Sequence, residues 1–255
     1  MRRLLIINPN TSTSVTRLLQ TRVQALLGDE VRVCTATARF GAPYIACEAS
    51  YAVAAHATLD AWASWLAQAA EEEAPDAVML GCFGDPGLEA LREGSPVPVS
   101  SLAEAAFEEA TRHGRFAIVT GGERWKPMLQ RLASGLGYTH LAGIQTVQPS
   151  GAQLAADPEW ARRLLLDACR KAARDFSASA VILGGAGLAG VAATLQDELD
   201  FPLIDSVDAG VSHIVGLARR HAEQSAGRPL RKPGFDLPWS GVSPELARLG
   251  TGEQS

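Results

Sequence analysis

The sequence predicts an α/β fold of two similar lobes, each built on a parallel sheet. Short apolar runs alternate with longer stretches of helical periodicity, which is the pattern of repeated strand–helix units. Most of the runs are rich in Val, Ile and Leu without polar alternation, as expected for strands buried on both faces of a parallel sheet. One strand–turn–helix segment occurs twice, which indicates that the second lobe repeats the first.

The predicted elements follow one another with turn residues between them. The first helix is the clearest, because its apolar residues share one face, residues 11–13 offer N-caps and Gly28 is a natural stop. The predicted strands are Leu4–Ile7, Val31–Thr35, Ala77–Leu80, Phe116–Thr120, Ala180–Leu183 and Pro202–Ile204. The remaining predicted helices are Ala46–Glu73, Leu102–Arg112, Trp125–Leu136, Pro158–Asp175, Ala209–Glu223 and a short final helix near Pro244–Leu249.

The repeat aligns Ala77–Leu88 with Ala180–Val191, and the two segments share Ala, Val, Leu and three Gly at matching positions. Each is a buried strand, a Gly-rich turn and a helix start. Ligands of open α/β sheets bind outside the carboxyl ends of the strands, so we expect the loops of both lobes to surround one cleft. Residues 1–100 plus 206–255 are predicted to form the first lobe, and 101–205 the second.

The composition is typical of a soluble globular protein. The 255 residues are 47% hydrophobic and 20% charged, with a net charge of −5. An acidic chain without a Lys- and Arg-rich run does not favour nucleic-acid binding. No apolar run is long enough for a signal peptide or a membrane span. We therefore expect a cytoplasmic protein that binds neither nucleic acid nor membrane.

The cysteines are widely spaced and form no CxxC pair, so free thiols are expected rather than disulfides. With the histidines scattered as well, the sequence predicts no metal site. Cys34 and Cys169 fall in a predicted strand and a predicted helix, where core packing is the expected role. Cys47 lies at a helix start, where its thiol could approach the mouth of the cleft.

Cys82 has the most informative position. It ends a buried strand and is flanked by glycines, which let the backbone turn sharply and let a ligand approach closely. A helix N-terminus beyond the turn would favour a thiolate or a bound oxyanion. This indicates a thiol that acts as base or nucleophile. The alternative is a small apolar residue in the core, a common role of free cysteine.

The segment Gly185–Gly190 fits the dinucleotide fingerprint G-x-G-x-x-G, with Asp205 at the expected distance. Only one helix and an irregular tail follow Asp205, too little chain for a dinucleotide-binding half. Nicotinamide or flavin binding is therefore disfavoured, and Asp205 is predicted to cap the helix that follows it.

Two further loops at strand ends offer hydrogen-bond donors. Asn10 and Thr11 follow the first strand, and Thr120 and Gly121 follow the opening strand of the second lobe. Their side chains and backbone favour binding of a carboxylate or imide oxygen. The alternative for residues 8–12 is a simple turn and N-cap.

These residues together resemble the hydantoin racemase and allantoin racemase branch of the aspartate/glutamate racemase superfamily. The resemblance covers essentially the whole chain. The matching motifs are Ile7–Ser12 (INPNTS), Gly81–Gly87 (GCFGDPG), Ile118–Thr120 (IVT), Leu183–Leu188 (LGGAGL) and Gly241–Ala247 (GVSPELA). The resemblance implies two pseudo-symmetric flavodoxin-like lobes, an active site in the cleft between them, no cofactor and a homo-oligomer.

In that family two cysteines face each other across the substrate, one removing the α-proton and the other returning a proton on the opposite face. Cys82 matches the first cysteine, and Gly185 stands at the place of the second. The resemblance predicts a racemase of a small hydantoin, allantoin or amino-acid-like substrate. Besides Cys82, the predicted site residues are Asn10, Thr11, Phe83, Gly84, Thr120, Gly121, Gly185 and Ala186.

The missing second thiol leaves two alternatives open. One is a one-cysteine decarboxylase or lyase that acts on a small carboxylic acid, with a logic like that of arylmalonate decarboxylase. The other is a binding protein without catalysis, in which Cys82 only packs. Phe83, Tyr44, Trp125 and Trp239 could shape the pocket.

Overall fold

The protein contains two four-stranded parallel sheets. The computed structural model describes residues 1–69, 74–148, 158–225, 232–235 and 237–251. The first sheet has the order β2-β1-β3-β4 and the second β6-β5-β7-β8. Both follow the flavodoxin-like order, which confirms the predicted fold class. The strands are β1 (Arg3–Asn8), β2 (Arg32–Thr37), β3 (Ala77–Leu80), β4 (Val99–Ser101), β5 (Phe116–Gly121), β6 (Leu141–Val147), β7 (Ala180–Gly184) and β8 (Leu203–Asp205).

Helices cover both sheets. The Ser12 hydroxyl accepts from the Val15 N–H at the start of the first helix, and Gly28 ends that helix with φ of 68°. None of the described helices combines the length and the apolar character that crossing a bilayer requires. The helices are α1 (Thr13–Leu27), α2 (Glu48–Gln68), α3 (Leu88–Gly94), α4 (Ala103–Thr111), α5 (Trp125–Gly135), α6 (Pro158–Asp175), α7 (Val191–Leu195), α8 (Ser206–Ser225) and α9 (Pro244–Thr251).

The internal repeat is visible in the backbone. β3 and β7 occupy equivalent places in their sheets, next to the central strands β1 and β5. The turns after them end at Gly87 and Gly190, which precede α3 and α7 with nearly equal φ values of 82° and 81°. Glycine is needed at both positions because other residues rarely adopt this left-handed conformation.

All the predicted strands are present, but β4 and β6 were missed. β4 is a three-residue strand with two serines, which lack the apolar signal of a buried strand. β6 lies at a sheet edge and its first three residues are only half-buried. Helix α2 ends at Gln68, earlier than the predicted Glu73, and residues 70–73 lie outside the described part of the chain.

The chain returns to the first lobe after β8. Helix α8 packs against α1 and β4, and α9 packs against α2, where the Leu246 side chain is fully buried. The division into 1–100 plus 206–255 and 101–205 stays a prediction.

The lobes meet at a contact between an aromatic ring and a glycine. A Cβ at Gly184 would lie 2.2 Å from the Phe83 ring, so only glycine allows this approach. On the other side the Phe83 ring packs edge-on against Phe107, with the ring centroids 6.0 Å apart. Phe107 in turn stacks on Phe116 of β5. This aromatic cluster joins the loop after β3 to the core of the second lobe.

We predict that Gly184→Ala lowers the free energy of unfolding by about 1–3 kcal/mol, because the added methyl group overpacks the contact with Phe83. Denaturant unfolding measures this change. The matched control is Gly135→Ala in α5, where a Cβ meets nothing within 4 Å. The control variant should be as stable as the parent or slightly more stable. Equal stability of the two variants would contradict the proposed packing.

Candidate active site

A cavity of about 340 Å³ lies between the carboxyl ends of the two sheets. We call it the interlobe cavity. It is bounded by the loops after β1 and β3 in the first lobe and after β5 and β7 in the second. These are the places where the strand order of each sheet reverses, which is where α/β sheets bind ligands. The predicted site residues that line it are Asn10, Cys82, Phe83, Thr120, Gly121, Gly185 and Ala186.

Two predicted site residues do not line the cavity. The backbone N–H of Thr11 donates to the Ala42 carbonyl at 3.1 Å, so Thr11 holds the loop between β2 and α2 instead. Gly84 lies behind the wall, where its carbonyl accepts from the Tyr51 hydroxyl at 2.6 Å. Its missing side chain makes room for Trp125, whose ring would lie 2.4 Å from a Cβ there.

Cys82 is at the cavity wall, but only 8% of the residue is exposed. Burial raises the pKa of the Cys82 thiol well above its ordinary value, and the charge of Asp85 raises it further. The thiol is therefore protonated near neutral pH. The net effect on Cys82 is the opposite of the thiolate stabilisation expected from a helix N-terminus, and α3 begins only at Leu88, beyond the turn.

Asp85 fixes the loop that contains Cys82. Its carboxylate accepts from the Ser101 hydroxyl at 2.8 Å and from the N–H groups of Ala103 and Glu104 at 3.0 and 2.9 Å. It thereby caps α4, which crosses to the second lobe. Asp85 has a positive φ of 56°, an unusual conformation for a residue with a side chain. Burial raises its pKa to about 6, against the opposing effect of these hydrogen bonds.

The repeated turns at the cavity wall contain backbone N–H groups, at Phe83 and Ala186, that take no part in the hydrogen bonds of the turns themselves. The Asp85 N–H bonds to the Cys82 carbonyl at 3.4 Å, and Leu188 bonds to Gly185 at 2.9 Å in the same way. Within each turn the N–H groups of Phe83 and Ala186 have no acceptor among the described residues. Such unpaired donors can hold an oxygen on which negative charge develops.

The polar side chains differ in what they can offer. The Asn10 carbonyl oxygen already accepts from the Ser12 N–H at 2.9 Å and from Asn8 Nδ2 at 3.0 Å. Asn10 Nδ2 has no acceptor among the described residues, so it remains a donor for a ligand. The Thr120 hydroxyl donates to the Gly184 carbonyl at 2.8 Å, which leaves its oxygen lone pairs to accept from a ligand. The part of Thr120 in holding a substrate oxygen stays a prediction.

Sequence reasoning missed most of the apolar wall. Val15 and Leu18 of α1 and Leu188 after β7 line the cavity, and nothing in the sequence separates them from ordinary core residues. Tyr44 and Trp125 line it as expected. Trp239 does not, since it packs near Phe235 with a centroid distance of 5.6 Å.

No charged side chain lines the cavity in the described part of the chain. Nor do the described residues contain a group of three His, Cys, Asp or Glu placed to hold a metal ion. Asp205, the acidic residue of the apparent dinucleotide fingerprint, accepts from the N–H groups of Gly190 and Val207 at 2.7 and 2.8 Å. It caps α8 as predicted, and its carboxylate is occupied.

The pattern of the Asp/Glu/Hydantoin racemase family matches residues 4–214, most of the chain. The chain belongs to this family. A hydantoin racemase from Paenarthrobacter aurescens is 30% identical over 91% of the chain and 97% of that protein.

Solved structures agree with the family. An allantoin racemase from Klebsiella pneumoniae superposes with a TM-score of 0.82 at 28% identity, covering 98% of this chain and 100% of that one. These relatives support a racemase function, as the sequence predicted. Arylmalonate decarboxylase matches with a TM-score of 0.59 at 18% identity, covering 90% and 95%, and shares the fold.

We predict that iodoacetamide labels Cys47 before Cys82 in the folded protein. Hydrogen bonds from Ser50 lower the pKa of the Cys47 thiol, whereas burial raises that of Cys82. Since the thiolate is the reactive form, labelling of Cys82 should be slow at neutral pH and rise about tenfold per pH unit up to about pH 9. Peptide mass spectrometry measures both sites, and the unfolded chain is the control. Equal rates at neutral pH in the folded protein would contradict the assigned burial.

Proposed function

We propose that this racemase acts on a small neutral ring of the hydantoin type and moves a proton at the carbon next to a carbonyl. The observation that supports the proposal is the combination of one thiol, unpaired N–H donors and an uncharged wall in the interlobe cavity. Cys82 is the acid/base on one face of the substrate. The reaction as proposed requires no cofactor.

The chemistry follows from where charge develops. When Cys82 in its thiolate form removes the α-proton, negative charge moves to the neighbouring carbonyl oxygen and an enolate forms. The N–H groups of Phe83 and Ala186 and the amide of Asn10 are the donors at the wall that would hold this oxygen. Donors fixed in a cavity shielded from water stabilise such a charge more than mobile water does.

The uncharged wall favours a neutral substrate. A free amino acid would bring a carboxylate and an ammonium group into a cavity whose described residues offer no opposite charge, and unpaired burial of charge is costly. Val15, Leu18 and Leu188 would pack against an apolar substituent on the reacting carbon. We therefore propose hydantoins with apolar substituents ahead of allantoin and amino acids.

A second candidate is a one-cysteine decarboxylase or lyase that acts on a small carboxylic acid. It is favoured by Gly185, which occupies in the second lobe the position that Cys82 has in the first. In that reaction carbon dioxide would leave and Cys82 would protonate the remaining enediolate. A cytoplasmic location and a homo-oligomeric state stay predictions.

We predict that Cys82→Ser lowers the rate of α-proton exchange in heavy water by at least about 100-fold for the enantiomer of 5-benzylhydantoin whose α-proton faces Cys82, because a hydroxyl is a far weaker acid/base here. Proton NMR measures exchange, and polarimetry measures loss of optical rotation. The matched control is Cys47→Ser, which removes a thiol outside the cavity and should leave both rates unchanged. Full activity of the Cys82→Ser variant would exclude Cys82 as the base. Carbon dioxide release from phenylmalonate without hydantoin turnover would favour the decarboxylase.

We predict that kcat/KM for hydantoin-5-acetate is at least about 100-fold lower than for 5-benzylhydantoin, because its carboxylate would be buried without a partner. The two compounds share the reacting ring and differ in the charge and size of the substituent. The smaller, neutral 5-methylhydantoin separates size from charge and should be turned over faster than the acetate. Equal turnover of the acetate and the benzyl compound would contradict the proposed neutral substrate class.

A further inference from the structure

We propose that the Tyr44 phenol exchanges the proton on the face of the substrate opposite Cys82. This inference rests on the proposed racemase function and names the second acid/base that inversion requires. A carbon acid is inverted when a proton leaves from one face and another arrives at the opposite face.

Elimination among the lining residues leads to Tyr44. Gly185 is at the position equivalent to Cys82 and has no group that can exchange a proton. Of the described residues at the cavity wall, Cys82 and Tyr44 alone carry a titratable side chain. The Trp125 indole and the Thr120 hydroxyl are too weakly acidic to act as the second group.

The phenol of Tyr44 is bonded to the second lobe. The Tyr44 hydroxyl donates to the Gly121 carbonyl at 3.2 Å, and Gly121 ends β5 in the second lobe. In the register of β5 with β7, Thr120 pairs with Gly184, and Gly121 and Gly185 are the next residues along the two segments. Adjacent strands are about 4.8 Å apart. The phenol oxygen therefore contacts the end of β5 in the second lobe, where the turn of Gly185 also lines the cavity, whereas Cys82 lines it from the first lobe.

The electrostatics of the two groups are coupled. Burial raises the pKa of the Tyr44 phenol, a hydrogen bond to the Trp125 side chain lowers it in part, and negative charge on Cys82 raises it further. A thiolate at Cys82 thus keeps the proton on Tyr44. This pair of states, thiolate on one side and phenol on the other, is what the first half of an inversion needs.

The proton transfers balance. In one direction the Cα–H bond breaks, an S–H bond forms at Cys82, and the enolate receives the Tyr44 proton on its other face, leaving a phenolate. The reverse direction starts from the phenolate and the thiol. Exchange with solvent interconverts the two forms, and the Tyr44 residue is 37% exposed, so water can reach it.

The first test uses the unmodified protein with each enantiomer of 5-benzylhydantoin in heavy water. With two bases, early product carries deuterium from the solvent while the remaining substrate keeps its own proton. Transfer of the substrate proton into the product would show that one base serves both faces, and it would overturn the role of Tyr44. A reaction without protein corrects for spontaneous exchange.

The second test is Tyr44→Phe, which removes only the phenol oxygen. Inversion should fall by at least about 100-fold, while exchange without inversion persists for the enantiomer whose α-proton faces Cys82. In the Cys82→Ser variant, exchange should persist only for the opposite enantiomer, whose α-proton faces Tyr44. Tyr51→Phe removes the same atom from a phenol outside the cavity and is the matched control. Tyr51→Phe should not make the exchange rates of the two enantiomers differ.

The outcomes distinguish this inference from the proposed function. Inversion by Tyr44→Phe at the parent rate would overturn the role of Tyr44 and leave the racemase proposal intact. If the folded Tyr44→Phe protein lost α-proton exchange equally for both enantiomers, the role of Tyr44 would also be overturned. A parent protein that exchanges the α-proton of neither enantiomer would contradict the proposed function itself, and the inference with it.

Discussion

The geometry of the site depends on the close approach of the two lobes at Phe83 and Gly184. The ring occupies the space that any Cβ at Gly184 would need, so the second lobe can come within contact of the loop after β3. That loop also contains Cys82, and β7 leads directly into the turn at Gly185. The same contact that buries the ring therefore places the carboxyl ends of the two sheets on either side of one cavity. Packing between the lobes and the geometry of the site are a single constraint.

Burial has opposite effects on the groups of the site. Burial at a cavity wall where the described residues place no charged side chain makes the Cys82 thiolate costly, and its pKa is raised. The same surroundings strengthen the hydrogen bonds that the Phe83 and Ala186 N–H groups can make to an enolate oxygen. Asp85 adds to the cost of the thiolate, yet its three hydrogen bonds hold the loop in place. Little of Cys82 is therefore in the thiolate form, but the loop has a fixed geometry and the donors can stabilise the enolate strongly.

The sequence predicted the repeated architecture because both halves use buried apolar strands followed by glycines. At most of these positions other residues do not fit, either because φ is positive or because a Cβ has no room. The sequence identified most of the loops of the site for the same reason, since these loops follow the strand ends. It could not predict how hydrogen bonds are distributed within the loops. Thr11 and Thr120 look like free donors in the sequence. In the structure the Thr11 N–H donates to the Ala42 carbonyl and the Thr120 hydroxyl donates to the Gly184 carbonyl. Val15 and Leu18 belong to the apolar face of α1, and only the tertiary structure shows that part of that face borders the cavity.

The two repeated segments have the same order of strand, turn and helix, but only the first turn contains a thiol. A Cβ at Gly185 would make only ordinary contacts with Leu188, at 3.8 Å, so space does not exclude a side chain there. The backbone does, because Gly185 has φ of 140°, which residues with a Cβ rarely adopt. The second turn thus differs from the first in backbone conformation as well as in having no thiol. If the second proton donor is Tyr44, both acid/base groups come from the first lobe, and the second lobe contributes the carbonyl that positions the phenol.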